Sequence, residues 1–395
     1  MIKMKWPKIR LANIIKVNQN TYSSKENWQF FNYLDTGNIT TNIIDDIKYI
    51  NPFIDKLPSR AKRKVRINSI IYSTVRPNQL HYGIMKEFPE NFLVSTGFAV
   101  IDVNTEEALP DYIYYVLTQK DIIEHLEAIA EQSVSAYPSI KPSDIENLEI
   151  FIPDIDTQTK IVKIISVIDE KIKKNREINN NLEQQAKTIF ENEFLFLEFL
   201  PKDWKQGNLL NIANYLNGLA MQKYRPAIDE EGIPVLKIKE LRQGYCDDNS
   251  ELCSTNIKPE YIIHDSDVIF SWSGSLLVDF WCGGTCGLNQ HLFKVTSDKY
   301  DKWFYYAWTK HHLEHFITVA TDKATTMGHI KRDELEKAKV IIPNSTDYKR
   351  IGVLLQPIYE FIIKNRIENK KLIFLRNTIL PKLMSGEIDV SEINI

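Results

Sequence analysis

The sequence predicts an α+β chain: two mixed α/β domains joined by two long antiparallel coiled-coil helices with pseudo-twofold symmetry. Three observations predict it. Residues 135–190 and 325–380 align without a gap, with about sixteen identities. Both copies carry apolar residues at alternating spacings of four and three. The segments before the copies, 1–134 and about 200–324, agree in length and outline but not in detail. The predicted order is a first domain over 1–150, a central helix over 151–199, a second domain over 200–340 and a C-terminal helix over 341–395.

Composition sets bounds. Of 395 residues, 43% are apolar and 26% charged, as in ordinary globular proteins. No apolar run reaches the roughly 20 residues that span a bilayer. The opening MIKMKWPKIRL has no apolar signal-peptide core, so a cytoplasmic location is expected. Cys246, Cys253, Cys282 and Cys286 are too few for a disulfide framework at this length. A net charge of −3 argues against a protein covered in positive charge but allows a local basic face.

The first domain opens with KIRLANIIKV, an amphipathic piece. SIIYSTVRPNQ reads as an apolar strand leading into a Ser-containing turn, and PDYIYYVLTQKDIIEHL as an aromatic helix. The second domain repeats the outline with QGNLLNIANYL, DVIFSWSGSLL and DKWFYYAWTKHHLEHFI. The two domains are thus expected to be diverged cousins.

The central helix carries the seam Ile161, Ile165, Ile168, Ile172, Asn175, Asn179, Leu182, Ala186 and Ile189. The C-terminal helix carries Ile351, Leu355, Ile358, Ile362, Asn365, Asn369, Leu372, Arg376 and Ile379. Stripes this narrow favour a coiled coil over a surface helix. Two like seams in one chain have each other as partners. The paired asparagines are expected at the seam, where a buried Asn fixes register; the alternative is partial exposure where the helices splay. Pro357 stands where the first copy has Val167, and is expected to kink or delay its helix, which would begin properly near Ile358.

The plan resembles the specificity (S) subunit of type I restriction–modification systems, over the whole chain. The most specific segments are IKPSDIENLEIFIP and IKRDELEKAKVIIP, leading into each helix. NGLAMQKYRP with EEGIPVLKIKEL resembles the family's opening of the second domain, and STVRPN, from Ser73 to Asn78, its strand-to-turn element. The second domain has SWSGSL there and lacks the Arg-Pro, so no role of Arg76 carries over. The resemblance implies two target-recognition domains on a helical spacer.

The residues offer two candidate DNA surfaces. KLPSRAKRKVR holds Lys56, Arg60, Lys62, Arg63, Lys64 and Arg66 with no acid. Beside Tyr72, Arg76, Asn78, His81 and Tyr82 these form the first candidate surface. Basic groups supply phosphate affinity, and Arg and Asn can read base edges. The bland alternative is a solvated loop. The second set is Lys223, Tyr224, Arg225, Lys237, Lys239, Arg242 and Gln243, with Trp272 and Ser273 at the turn matching Ser73 and Thr74. Lys323 opens KATTMGH, which corresponds to EQSVSAYP from Glu131 to Pro138; small polar loops can approach a phosphate backbone. The seam from Ile161 to Ile189 would span roughly 43 Å at 1.5 Å per residue. One turn of B-DNA is roughly 34–36 Å, so a bipartite, asymmetric target with an unread gap is expected.

No catalysis is expected of this chain. Asn51-Pro52-Phe53 lacks the second Pro and the Gly-rich partner loop of an amino-methyltransferase, and no P-loop occurs. The Cys246, Cys253, Cys282 and Cys286 spacings, with His264 and His291 nearby, are not those of a structural zinc site, and His311 and His315 are expected to be an exposed pair. The resemblance places chemistry in partners, a methylation (M) subunit with S-adenosylmethionine and restriction (R) subunits with ATP and Mg; the two equivalent helix copies imply two copies of the methylation subunit. The competing reading is a coiled-coil scaffold with protein-binding heads and no DNA specificity.

Overall fold

The computed structural model describes residues 6–133, 137–322 and 330–393. The chain divides into two compact units, Met1–Asp169 with Leu375–Ile395, and Glu170–Phe374. Each long helix therefore contributes a portion to both units, whereas the sequence reading gave each helix a segment of its own.

In the first unit, strands 15–17, 98–103, 70–73 and 82–84 form an antiparallel sheet in that order. A second sheet has the order 48–50, 31–34, 92–95, 61–63, with 31–34 and 92–95 parallel. Strand 70–73 is buried at every position, as a run of Ile-Ile-Tyr-Ser inside a sheet should be. Helix Pro110–Leu117 packs on this sheet and buries seven of its eight residues. Strands 8–10 and 149–151 pair antiparallel and close the unit beside the central helix.

The second unit repeats both four-stranded sheets, while the small pair 39–40 with 43–44 of the first unit has no counterpart among its described residues. Strands 214–217, 292–296, 268–271 and 277–280 form one sheet, and 252–253, 233–236, 286–288 and 262–263 the other. The parallel pair, here 233–236 with 286–288, recurs at the same place. The closing pair is 205–208 with 339–342. The expectation of two cousin domains is met down to sheet order.

The central helix runs from Ile155 to Phe190, with Asp154 Oδ1 accepting from the Thr157 amide at 2.9 Å at its start. The C-terminal helix runs from Ser345 to Met384. It is continuous through Pro357, so the expected late start near Ile358 is corrected. Asn344 nucleates it well before Pro357, accepting from the Thr346 and Asp347 amides at 3.0 and 2.9 Å. Pro357 lies on the exposed face one turn after Val353, which is 74% exposed. The carbonyl deprived of its N–H can therefore turn to water.

Within the first unit, Ile161 and Ile165 are fully buried against Leu380 and Leu383. Within the second, the asparagines pair in opposite chain order, the signature of antiparallel packing. Asn175 Nδ2 donates to Asn369 Oδ1 and Asn365 Nδ2 to Asn179 Oδ1, both at 2.9 Å. Asn369 and Asn179 in turn donate to the carbonyls of Ile172 and Ile362 at 3.3 and 3.2 Å. The repeat relates these two sets of bonds atom for atom, so the quartet has internal twofold symmetry. All four asparagines are under 10% exposed, which settles them as buried rather than splayed. No helix among the described residues is long and apolar enough to cross a membrane.

Candidate nucleic-acid interface

In both units the loops that follow the inner strands gather at one edge. In the first unit the edge is built on three turns. Thr74 donates its amide and its hydroxyl to the Gly97 carbonyl at 2.8 and 2.9 Å. Thr96, next to Gly97, donates its amide to the Arg60 carbonyl at 2.8 Å. Asp35, which ends strand 31–34, accepts from the Thr36 amide at 2.8 Å. Burial opposes ionisation of Asp35, but bonds from Thr36, Ser95 and Tyr33 and the nearby Arg60 charge outweigh it and hold its carboxyl low.

Arg76 crowns this edge. Its backbone is left-handed, with φ at 47°, and its amide donates to the Pro138 carbonyl at 3.0 Å. Its guanidinium lies 5.2 Å from the centre of the Tyr137 ring, which is 60% exposed. Asn78 is exposed beside it, its amide donating to Glu127 at 3.1 Å. His81 is half-buried and donates from Nδ1 to the Ile39 carbonyl at 2.6 Å. Tyr82 is a correction: at 7% exposed it stacks on Tyr72 within the core and offers no surface.

The basic run is not gathered as one patch. Arg60 stands at the Thr74 end, while strand 61–63 carries the chain away from it at about 3.3 Å per residue. Lys62 is exposed. Lys64 is held by Glu26 at 2.7 Å and lies 5.6 Å from the Trp28 ring. Arg66 donates its amide to Ser69 at 2.8 Å, beside Asp102. Arg63 is half-buried, its Nε has no partner, and burial lowers its pKa. Lys56 is exposed in the loop before the run.

The second unit spends most of its expected cations on its own loops. Arg225 and Lys237 both pair with Glu251, the former at 2.7 Å. Lys239 pairs with Asp247 at 3.0 Å, and Gln243 donates to the Tyr245 carbonyl at 2.6 Å. Lys223, Tyr224 and Arg242 are exposed. Lys323 lies outside the described residues.

The two predicted sets do not occupy equivalent places. The run at 60–66 surrounds strand 61–63, whose counterpart is 262–263. Lys237 to Gln243 follow strand 233–236, whose counterpart 31–34 is followed by Asp35 and Thr36. Trp272 is equivalent to Thr74 and not to its neighbour: the Ile330 amide donates to the Trp272 carbonyl at 2.9 Å as that of Ile140 does to Thr74 at 2.8 Å. Ser273 is buried, and its carbonyl accepts from Ser271 at 3.3 Å.

Sequence reasoning did not single out Asp35, Thr36, Asn217 and Gln290; it touched Tyr137 only within EQSVSAYP and His291 only as a zinc neighbour. Each is a single polar or aromatic residue on a turn or, for Asn217, at a strand end, without a run of charge to announce it. In the second unit Trp272 Nε1 donates to Asn217 Oδ1 at 2.9 Å, and Gln290 Nε2 lies 3.3 Å from His291 Nε2. Among the described residues no group of three or more His, Cys, Asp or Glu could hold a metal ion, and all four cysteines are free.

Comparison with known proteins adds the family. The type I restriction modification DNA specificity domain matches twice, over residues 3–184 and 201–372. The HindI specificity subunit of Haemophilus influenzae, a type I restriction enzyme subunit, is 21% identical over 432 residues, covering 90% of this chain and 94% of that one. The MjaIX specificity subunit of Methanocaldococcus jannaschii is 26% identical over 322 residues, covering 75% and 73%. The crystal structure of a type I restriction–modification S subunit from M. genitalium shares the fold, with a TM-score of 0.58 over 97% of both chains at 15% identity. With one match to each cousin half, the chain belongs to the type I restriction modification DNA specificity family.

Proposed function

We propose that this chain is the DNA-specificity subunit of a type I restriction–modification complex, and that each unit reads one half of an asymmetric bipartite target. The observation that carries this is the pairing of one topology with two different edges. Both units hold the same two four-stranded sheets, and each is matched separately by a DNA specificity domain. Yet the first edge presents Arg60 and Arg76, and the second Trp272, Asn217, Gln290 and His291. Unlike readers on like scaffolds give unlike half-sites. Exposed Lys56, Lys62, Lys223 and Arg242 would add phosphate affinity around them.

In this reading the chain is non-catalytic. A methylation subunit supplies S-adenosylmethionine chemistry and a restriction subunit supplies ATP-driven cleavage. The internal dyad of the asparagine quartet supports two equivalent docking positions, hence two methylation subunits per chain.

The test is the adenine methylome of cells that express this chain with its methylation subunit, against the methylation subunit alone. A bipartite motif with a fixed gap, present only with this chain, is expected. A complex that forms and still yields no motif, with binding insensitive to salt, would favour the protein-binding scaffold.

A further inference from the structure

The turn Asn289–His291 links strands 286–288 and 292–296 at the recognition edge of the second unit. Its backbone is pinned. The Asn289 amide donates to the Leu236 carbonyl at 3.2 Å, and Asn289 Oδ1 accepts from the His291 amide at 3.2 Å. Gly218 passes so close that a Cβ there would lie 2.2 Å from the Asn289 carbonyl oxygen, so the neighbouring strand end is locked against this turn. The Gln290 side chain is thus carried on a rigid support, and it is only half-buried.

The chemistry of that side chain is unusually defined. An amide nitrogen only donates, so at 3.3 Å His291 Nε2 is the acceptor. The other ring nitrogen, Nδ1, is buried without a partner. That is a cost the free protein bears to hold the ring in place. The amide nitrogen has a second N–H. With Oε1 it makes a donor–acceptor fork whose orientation His291 fixes. The wall beside it is Trp272, whose ring centre is 6.1 Å from that of His291 and whose Nε1 bonds to Asn217. In the major groove a carboxamide fork matches one base edge best, the N6 donor and N7 acceptor of adenine.

We propose that Gln290 reads an adenine in the half-site bound by the second unit, with His291 as its positioning residue. The inference rests on the DNA-specificity reading above. The first unit has Thr96 and Gly97 at the equivalent positions, so this contact belongs to one half-site only.

The experiment is single-molecule methylome sequencing of cells expressing the full chain with its methylation subunit, wild type against Gln290→Ala, Gln290→Glu, His291→Phe and His291→Gln. Gln290→Ala is expected to make one A·T pair of one half-site degenerate, relaxing it about 10-fold or more against its neighbours. The other half-site stays intact and reports that the variant folds. Gln290→Glu should shift the preference at that pair toward cytosine, whose N4 only donates. His291→Phe should relax the same pair and no other, and His291→Gln, which keeps an acceptor, should recover it. A wild-type motif that survives Gln290→Ala unchanged, or relaxation at a G·C pair, overturns the assignment. A wild type without any bipartite motif overturns the parent reading instead.

Discussion

Arg376 Nη1 donates to Asp169 Oδ1 at 3.0 Å, in the first unit, where the repeat would have put Ala186 and Tyr359. The Tyr115 hydroxyl donates to the other carboxylate oxygen at 3.0 Å. At the related place in the second unit Ala186 and Tyr359 are buried, with Tyr359 edge-on to Tyr306 at 5.1 Å. At these two related places the helix pairing is ionic in one unit and aromatic in the other. The symmetry of the asparagine quartet is thus broken on both sides of it. Burial lowers the pKa of Arg376, but the Asp169 charge and bond outweigh it and leave the guanidinium more firmly protonated than usual.

Arg376→Ala is expected to destabilise the first unit by about 1–3 kcal/mol, because it strands a partly buried carboxylate. Urea unfolding of the full chain should show a lower midpoint. The double change Asp169→Ala with Arg376→Ala should cost less than the sum of the singles. Additive singles would mean that the pair contributes nothing.

Asn365→Leu removes the donor to Asn179 and leaves Asn179 Oδ1 facing an apolar group. A loss of about 1–3 kcal/mol is expected. Replacing all four asparagines with leucine should raise the melting temperature while degrading the fixed pairing, because a buried Asn costs stability and sets register. Thermal unfolding reads the first effect. Cross-linking between cysteines placed along the two helices reads the second, as a spread of products in place of one.

The pH dependence should come in part from His312. Burial pushes its pKa down to about 4, against its bond to the Lys339 carbonyl at 2.8 Å, with His311 and His315 adding to the depression. The unfolded chain takes up this proton near pH 6.5 and the folded chain near 4. The stabilisation is therefore complete above about 6.5 and is lost as pH falls toward 4. Chemical unfolding at stepped pH should show that slope, and His312→Gln should flatten it. An unchanged slope would exclude His312 as its source.

Binding to target DNA should separate two kinds of basic residue. Lys62→Ala should weaken binding to every sequence alike and reduce the salt slope by about 0.9, the share of one phosphate contact. Lys64→Ala should change the slope less, since Glu26 at 2.7 Å already neutralises that charge. Arg76→Ala should instead relax the motif at one base pair, by about 1–3 kcal/mol of discrimination. Equal salt slopes for the two lysine variants would show that the run acts as a single patch.

Pro357→Ala should stabilise the C-terminal helix by about 1–3 kcal/mol, since it restores an N–H in an exposed helix interior. A lower melting temperature would mean that the proline is needed where it stands.

The long helices were legible because their apolar spacing persists over four heptads and occurs twice. The asparagines were legible because they interrupt that spacing at the same place in both copies. Pro357 misled because a proline's effect depends on which way its side of the helix faces, and sequence does not show that solvent lies there. The basic run misled differently: its charge is plain, but a strand points Arg60 at the recognition edge and carries Lys64 to Glu26. Gln290 was silent, and His291 drew notice only for its nearness to the cysteines, because sequence does not show that this turn lies beside Trp272.

The carbonyls of Thr74 and Trp272 make the same bond, to Ile140 and Ile330, although one residue carries a hydroxyl and the other an indole. The turn therefore keeps this main-chain bond whichever of the two side chains it carries. Side chains at such a position can be exchanged without dismantling what holds it, as a type block changes its letter and keeps its shank. A protein built this way can acquire a new target by substitution at a few turns, while its frame stays as it was.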